Sequence, residues 1–103
     1  MSDYLPDVKK YAPNASEAHV AAIVKYCGIA LRNADSSLVS VSDDKEKATV
    51  RNGFAAKKLG LDAAAADKGI EAVAAKMKDE KRKSRVTFYY LLADATGTLG
   101  KLG

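Results

Sequence analysis

"KSRVTFYYLLADATG", residues 83 to 97, is the stretch on which the fold turns. Val86, Thr87, Phe88, Tyr89 and Tyr90 each favour an extended strand, because branched and aromatic side chains suit a pleated surface. The Leu-Leu-Ala-Asp-Ala run behind them favours helix. Hydrophobic periodicity does not separate the two. Wound as a helix, the segment sets Val86, Tyr90 and Ala93 opposite Phe88, Leu91 and Leu92, so it is apolar on both sides. Ser84 stands where an N-cap belongs and Gly97 where a helix stops, and the rest of the chain offers few strands to pair with. These features predict a helix over residues 85–96, with a strand as the alternative. A helix without a polar face belongs at the centre of its bundle.

Four further helices are expected around it. Nineteen alanines and only two prolines, Pro6 and Pro13, favour helix along the whole chain. The first runs over residues 4–11, with Asp3 as N-cap and Leu5, Val8 and Tyr11 at helical spacing, until Pro13 stops it. The second starts at the "NASE" capping signature of Asn14 and Glu17. Its stripe of Val20, Ile23, Val24, Cys27 and Leu31 carries it to about Asn33. Leu38, Val39 and Val41 form the one extended stretch outside the C-terminal block, a connection with its aliphatics turned inward. Asp43 and Glu46 open a third helix, ended by Gly60, whose thin apolar face predicts a peripheral position. The fourth, from Ala64 to about Glu80, lines up Ala66, Gly69, Ile70, Val73 and Met77, and Gly69 in that stripe suggests a close backbone approach. The expectation is therefore an all-α, compact bundle of about five helices with a buried C-terminal helix. Residues 1–97 form one domain and residues 98–103 a frayed tail.

At 103 residues the chain should bury roughly 65% of its unfolded surface, enough for one core. One cysteine, Cys27, excludes an internal disulfide, and one histidine, His19, leaves no recognisable zinc ligand set, so neither metal nor other cofactor is expected. The thiol suits a reducing cytoplasm. No apolar run approaches the ~20 residues of a membrane helix, and no membrane association is expected. The oligomeric state is not legible.

The net charge is +4. Residues 76–85 hold six cations, Lys76, Lys78, Lys81, Arg82, Lys83 and Arg85, against Asp79 and Glu80, while the remainder carries eleven cations and eleven anions. The whole excess sits in this run. A helix that tracked a phosphate backbone would gather its cations on one face, whereas these spread around the axis. The run therefore reads first as a junction, its cations complementing the C-terminal dipole of the fourth helix. If it serves a partner, the surface is the corner of Lys78, Lys81, Arg82, Lys83 and Arg85, with an acidic protein or nucleic acid held by charge. Lys47, Arg51 and Lys58 would extend it if the third helix packs alongside.

"MSDYLPDVKKYAPNA" (1–15), "IVKYCGIALR" (23–32) and "KSRVTFYYLLA" (83–93) together resemble a small bacterial family catalogued as a domain of unknown function. The resemblance covers nearly the whole chain to about Gly97. It implies a bacterial cytoplasmic protein and brings no activity, ligand or catalytic residue.

The candidates for catalysis are few. His19 and Cys27 lie eight residues apart on one helix, about 12 Å along its axis, too far for a thiol–imidazole pair. Asp94, near Thr87 on the one polar strip of the fifth helix, is expected to be partly buried. A small enzyme using Asp94 or His19 is the weakest reading. Residues 54–73 have a helix-turn-helix outline about Gly60, but Ala63 to Ala66 present methyl groups where a base reader needs Arg, Gln or Asn. A non-enzymatic binding or scaffold module is the reading that remains, with a helix-turn-helix regulator as the alternative.

Overall fold

In a computed structural model, residues 5–28, 38–39, 44–78 and 83–101 are described. The order is α1 (Leu5–Tyr11), α2 (Glu17–Cys27), β1 (Leu38–Val39), α3 (Asp44–Thr49) running on into a π-helix (Val50–Lys58), α4 (Ala63–Lys76), β2 (Lys83–Ser84), α5 (Arg85–Ala95) and a 3-10 turn (Leu99–Lys101). The fold is all-α. Among the described residues the strands are β1 and β2, a two-residue antiparallel pair with Leu38 opposite Ser84 and Val39 opposite Lys83.

The helical alternative holds for the deciding stretch. Residues 85–93 of α5 are buried without exception, and α5 packs against α1, α2, the π-helix and α4. A helix surrounded in this way needs apolar atoms on each side, which the residues with high strand preference supply. Tertiary burial thus outweighs local propensity. The helix closes with paired bonds at Gly97, which has φ +69°: the Thr98 N–H reaches the Ala93 carbonyl at 2.8 Å and the Gly97 N–H the Asp94 carbonyl at 3.2 Å. Such a closure needs a left-handed residue, for which glycine has no steric penalty. The tail expected beyond it is held at its start, because the Thr98 hydroxyl bonds within the turn and Leu99 packs on the core. Residues 102 and 103 lie outside the described residues.

The third helix departs from expectation. Val50, Phe54, Ala55 and Leu59 are all buried, so this segment is not peripheral. Their spacing of four to five residues is scattered by an α-helix but gathered on one side by the wider i→i+5 winding of a π-helix. The Phe54 ring stacks on Tyr89 with centroids 4.1 Å apart, and Tyr26 meets Phe54 edge-on at 5.3 Å. One aromatic column thereby ties α2, the π-helix and α5 together.

Helix ends differ from the sequence reading in physically simple ways. α2 runs from Glu17 to Cys27 and is closed by Gly28, which takes φ +49°; the expected continuation to about Asn33 falls on residues 29–33, which lie outside the described residues. α4 is capped by Asp62, whose carboxylate accepts from the Ala65 N–H at 2.8 Å. It ends at Lys76, with Met77 buried as its last anchor. Gly69 marks a close approach of side chains rather than of backbone: a Cβ there would lie 2.6 Å from a Leu92 methyl and 2.7 Å from a Thr96 methyl.

Candidate functional site

The basic run joins two anchored points. Met77, at the end of α4, is 1% exposed, and Arg85, at the start of α5, is 7% exposed. Between them the chain carries the cations on which a charged surface depends. Lys76 and Lys78 are exposed. Lys83 pairs through its backbone with Val39 in the short ladder. Lys81 and Arg82 lie outside the described residues.

Arg85 does not belong to that surface, which corrects the corner expected from sequence. Its guanidinium donates to the Tyr89 hydroxyl at 2.8 Å and lies 5.6 Å from the centroid of the Tyr89 ring. One turn of helix separates the two residues, so the first turn of α5 folds its own cation back over the aromatic column. The sequence counts Arg85 with its charged neighbours. Only its i, i+4 relation to Tyr89 hints that it is drawn inward.

Lys47 and Arg51 do not extend the corner as a uniform basic face. Arg51 pairs with Asp67 of α4 at 3.3 Å. Lys47 and Arg51 share a cleft of about 340 Å³ with Asp67 and Glu71, so two cations face two carboxylates. The exposed side of α4 also carries Asp67 and Glu71. A helix bearing carboxylates there would repel a phosphate backbone.

The catalytic candidates remain apart. Cys27 is half-buried, and burial pushes its thiol from an ordinary 9.0 up to about 11, against the opposing pull of the nearby Arg85 charge. At neutral pH it is a thiol rather than a nucleophilic thiolate. His19 keeps a buried Nδ1 that has no hydrogen-bond partner among the described residues. Asp94 is exposed rather than partly buried, and Thr87 is not its neighbour in bonding: the fully buried Thr87 hydroxyl donates to the Asp7 carboxylate of α1. The polar residue inside α5 thus serves to tie α1 to α5, a long-range pairing with no local sequence signal. Among the described residues no group of three or more His, Cys, Asp or Glu side chains could hold a metal ion, and no helix is long and apolar enough to cross a membrane.

The Cys27 shift gives a direct expectation. With the folded thiol raised to about 11, its thiolate fraction at pH 8 is far below that of the urea-unfolded chain, and after allowing for the greater nucleophilicity of a more basic thiolate, iodoacetamide should alkylate the native protein roughly tenfold more slowly. A group whose folded value is raised contributes stability that is complete below its unfolded value. That contribution fades as pH rises from about 9 through about 11. Equal alkylation rates in the two states would show the thiol to be solvated.

A family model described as "Protein of unknown function (DUF2853)" matches residues 3–100, nearly the full length. The chain belongs to this family. Comparison with curated proteins finds no match.

Proposed function

We propose that this DUF2853 member is a non-enzymatic binding or scaffold module that engages an acidic protein or nucleic acid through the basic run following α4. The observation that carries the reading is the exposure of Lys76 and Lys78 at the end of α4, continuous in sequence with Lys81, Arg82 and Lys83. With Arg85 drawn into the core, residues 76–83 still hold five cations against Asp79 and Glu80. Met77, at the end of α4, and Arg85, at the start of α5, are buried, so the two helices that flank the run are fixed to the core. The C-terminal dipole of α4 favours nearby cations, but its effect reaches only the last turn and does not require the residues beyond it. The half-buried reduced thiol of Cys27 suits a cytoplasmic setting.

Charge recognition of this kind is driven by counterion release and is therefore salt-sensitive. Wild type should bind heparin or mixed-sequence nucleic acid weakly at low salt. Replacing Lys81, Arg82 and Lys83 together by Gln should remove most of that affinity, whereas the same change at Lys9, Lys10 and Lys25 should remove little. On this reading the charges serve a partner rather than the fold, so the melting temperature should hardly move, as for cations that contribute only about 0–1 kcal/mol each. Two results would overturn the reading: no binding by wild type at low salt, or equal losses from both triple variants.

A further inference from the structure

A second cleft opens between the α1–α2 turn and the C-terminal end of α5. It encloses about 330 Å³, and its walls include Tyr11, Pro13, Asn14, Tyr90, Asp94 and Leu99. We propose that it binds a primary alkylammonium group, with the Asp94 carboxylate as counter-ion.

Asp94 stands where a carboxylate works against the helix. It lies in the last turn of α5, which contains no basic residue, and the helix dipole there disfavours negative charge. The closure of α5 uses backbone bonds to the Ala93 and Asp94 carbonyls, so it does not need the Asp94 side chain. That side chain is exposed and takes part in no hydrogen bond or ion pair among the described residues. A carboxylate in this position gains from a cation supplied by a ligand.

The walls around it suit such a cation. Tyr90, one turn before Asp94, is 3% exposed, and its hydroxyl accepts from the Ser16 N–H at 3.3 Å, so its ring is held in place. Tyr11 adds a second ring, one that already has an ammonium, that of Lys10, 5.9 Å from its centroid. Asn14 also lines the cleft. An ammonium carries three donors and no acceptor. A carboxylate and aromatic rings suit it through charge-assisted hydrogen bonds and cation–π attraction. An anion would be repelled by Asp94, and a neutral apolar ligand would desolvate the carboxylate without compensation. The volume lies at the small end of ligand sites and fits a short aliphatic amine.

The same head group belongs to free alkylamines and to lysine side chains of other proteins. Titrating 15N-labelled protein with n-butylammonium should give saturable amide shifts confined to residues 11–14 and 90–99. Asp94→Asn should weaken that binding about tenfold, as loss of one partly screened charge contact at close range implies. Butan-1-ol, which has the chain without the charge, should not saturate, and tetramethylammonium, which has the charge without donors, should bind more weakly. If N-acetyl-lysine amide binds as well as the free amine, the site takes lysine side chains. If only the free amine binds, it takes small molecules. Asp94→Asn should melt at or above the wild-type temperature, because it relieves the helix end. The proposal is overturned if nothing saturates by about 50 mM, if the variant binds as tightly as wild type, if butan-1-ol binds equally, or if the variant melts clearly lower.

Discussion

Truncating Leu91 to Ala is expected to lower the unfolding free energy by about 2–5 kcal/mol, and Phe88→Ala by about 3–5 kcal/mol. Leu91 is 2% exposed and Phe88 0%. The cost of a truncation depends on how far the surroundings can collapse into the space left behind. Around α5 they are held by α1, α2, the π-helix and α4 together, so little collapse is available and values toward the upper end are expected. A domain of this size is stable by only about 5–15 kcal/mol, so either variant should shift the urea midpoint strongly at unchanged slope. A midpoint within error of wild type would place α5 at the periphery and contradict the architecture.

Arg85→Ala should cost about 2–4 kcal/mol, from loss of a hydrogen bond made by a charged donor together with loss of the packing of the side-chain stem. An exposed arginine at the same point of the sequence would cost about 1 kcal/mol or less. The variant therefore separates an arginine that closes the first turn of α5 over Tyr89 from one that offers its charge to a partner. Arg85→Lys should recover little, since a lysine lacks the planar fork that bonds the Tyr89 hydroxyl while covering its ring. Because the Arg85 charge also pulls the Cys27 thiol downward, removing it should raise that value further and slow alkylation of the native state. A stability loss under about 1 kcal/mol with unaltered Cys27 reactivity would return Arg85 to the surface.

The architecture was legible from residues 85–96 because two requirements agree there: Gly97 marks the end of a helix, and apolar residues on every side require a central place for it; Ser84 takes the N-cap position without making a side-chain cap bond. The stripe of Ala66, Gly69, Ile70, Val73 and Met77 was legible for the same reason. The π-helix was not, since Val50, Phe54, Ala55 and Leu59 scatter when counted at 3.6 residues per turn and leave the segment with only a thin apolar face. Helix ends were not legible where a single glycine decides them: nothing in the apolar pattern of α2 marks Gly28 as its close. The candidate sites were legible only as composition. Charge counting locates the excess but does not tell Arg85, folded back on Tyr89, from Lys78, left in solvent. The Asp94 cleft joins residues about 80 positions apart in sequence, and the Asp7–Thr87 bond likewise spans 80 positions. Pairings of that range are set by helix packing and leave no mark in a local window.

Amide chemical-shift mapping with a short heparin oligosaccharide at low salt tests the proposed binding surface most directly. The largest perturbations should fall on residues 76–84, fade across the first turn of α5 and vanish as salt is raised, with Lys9, Lys10 and Lys25 little affected. Perturbations centred on α1 and α2, or spread evenly over every exposed lysine, would contradict the assignment of partner binding to the run that follows α4.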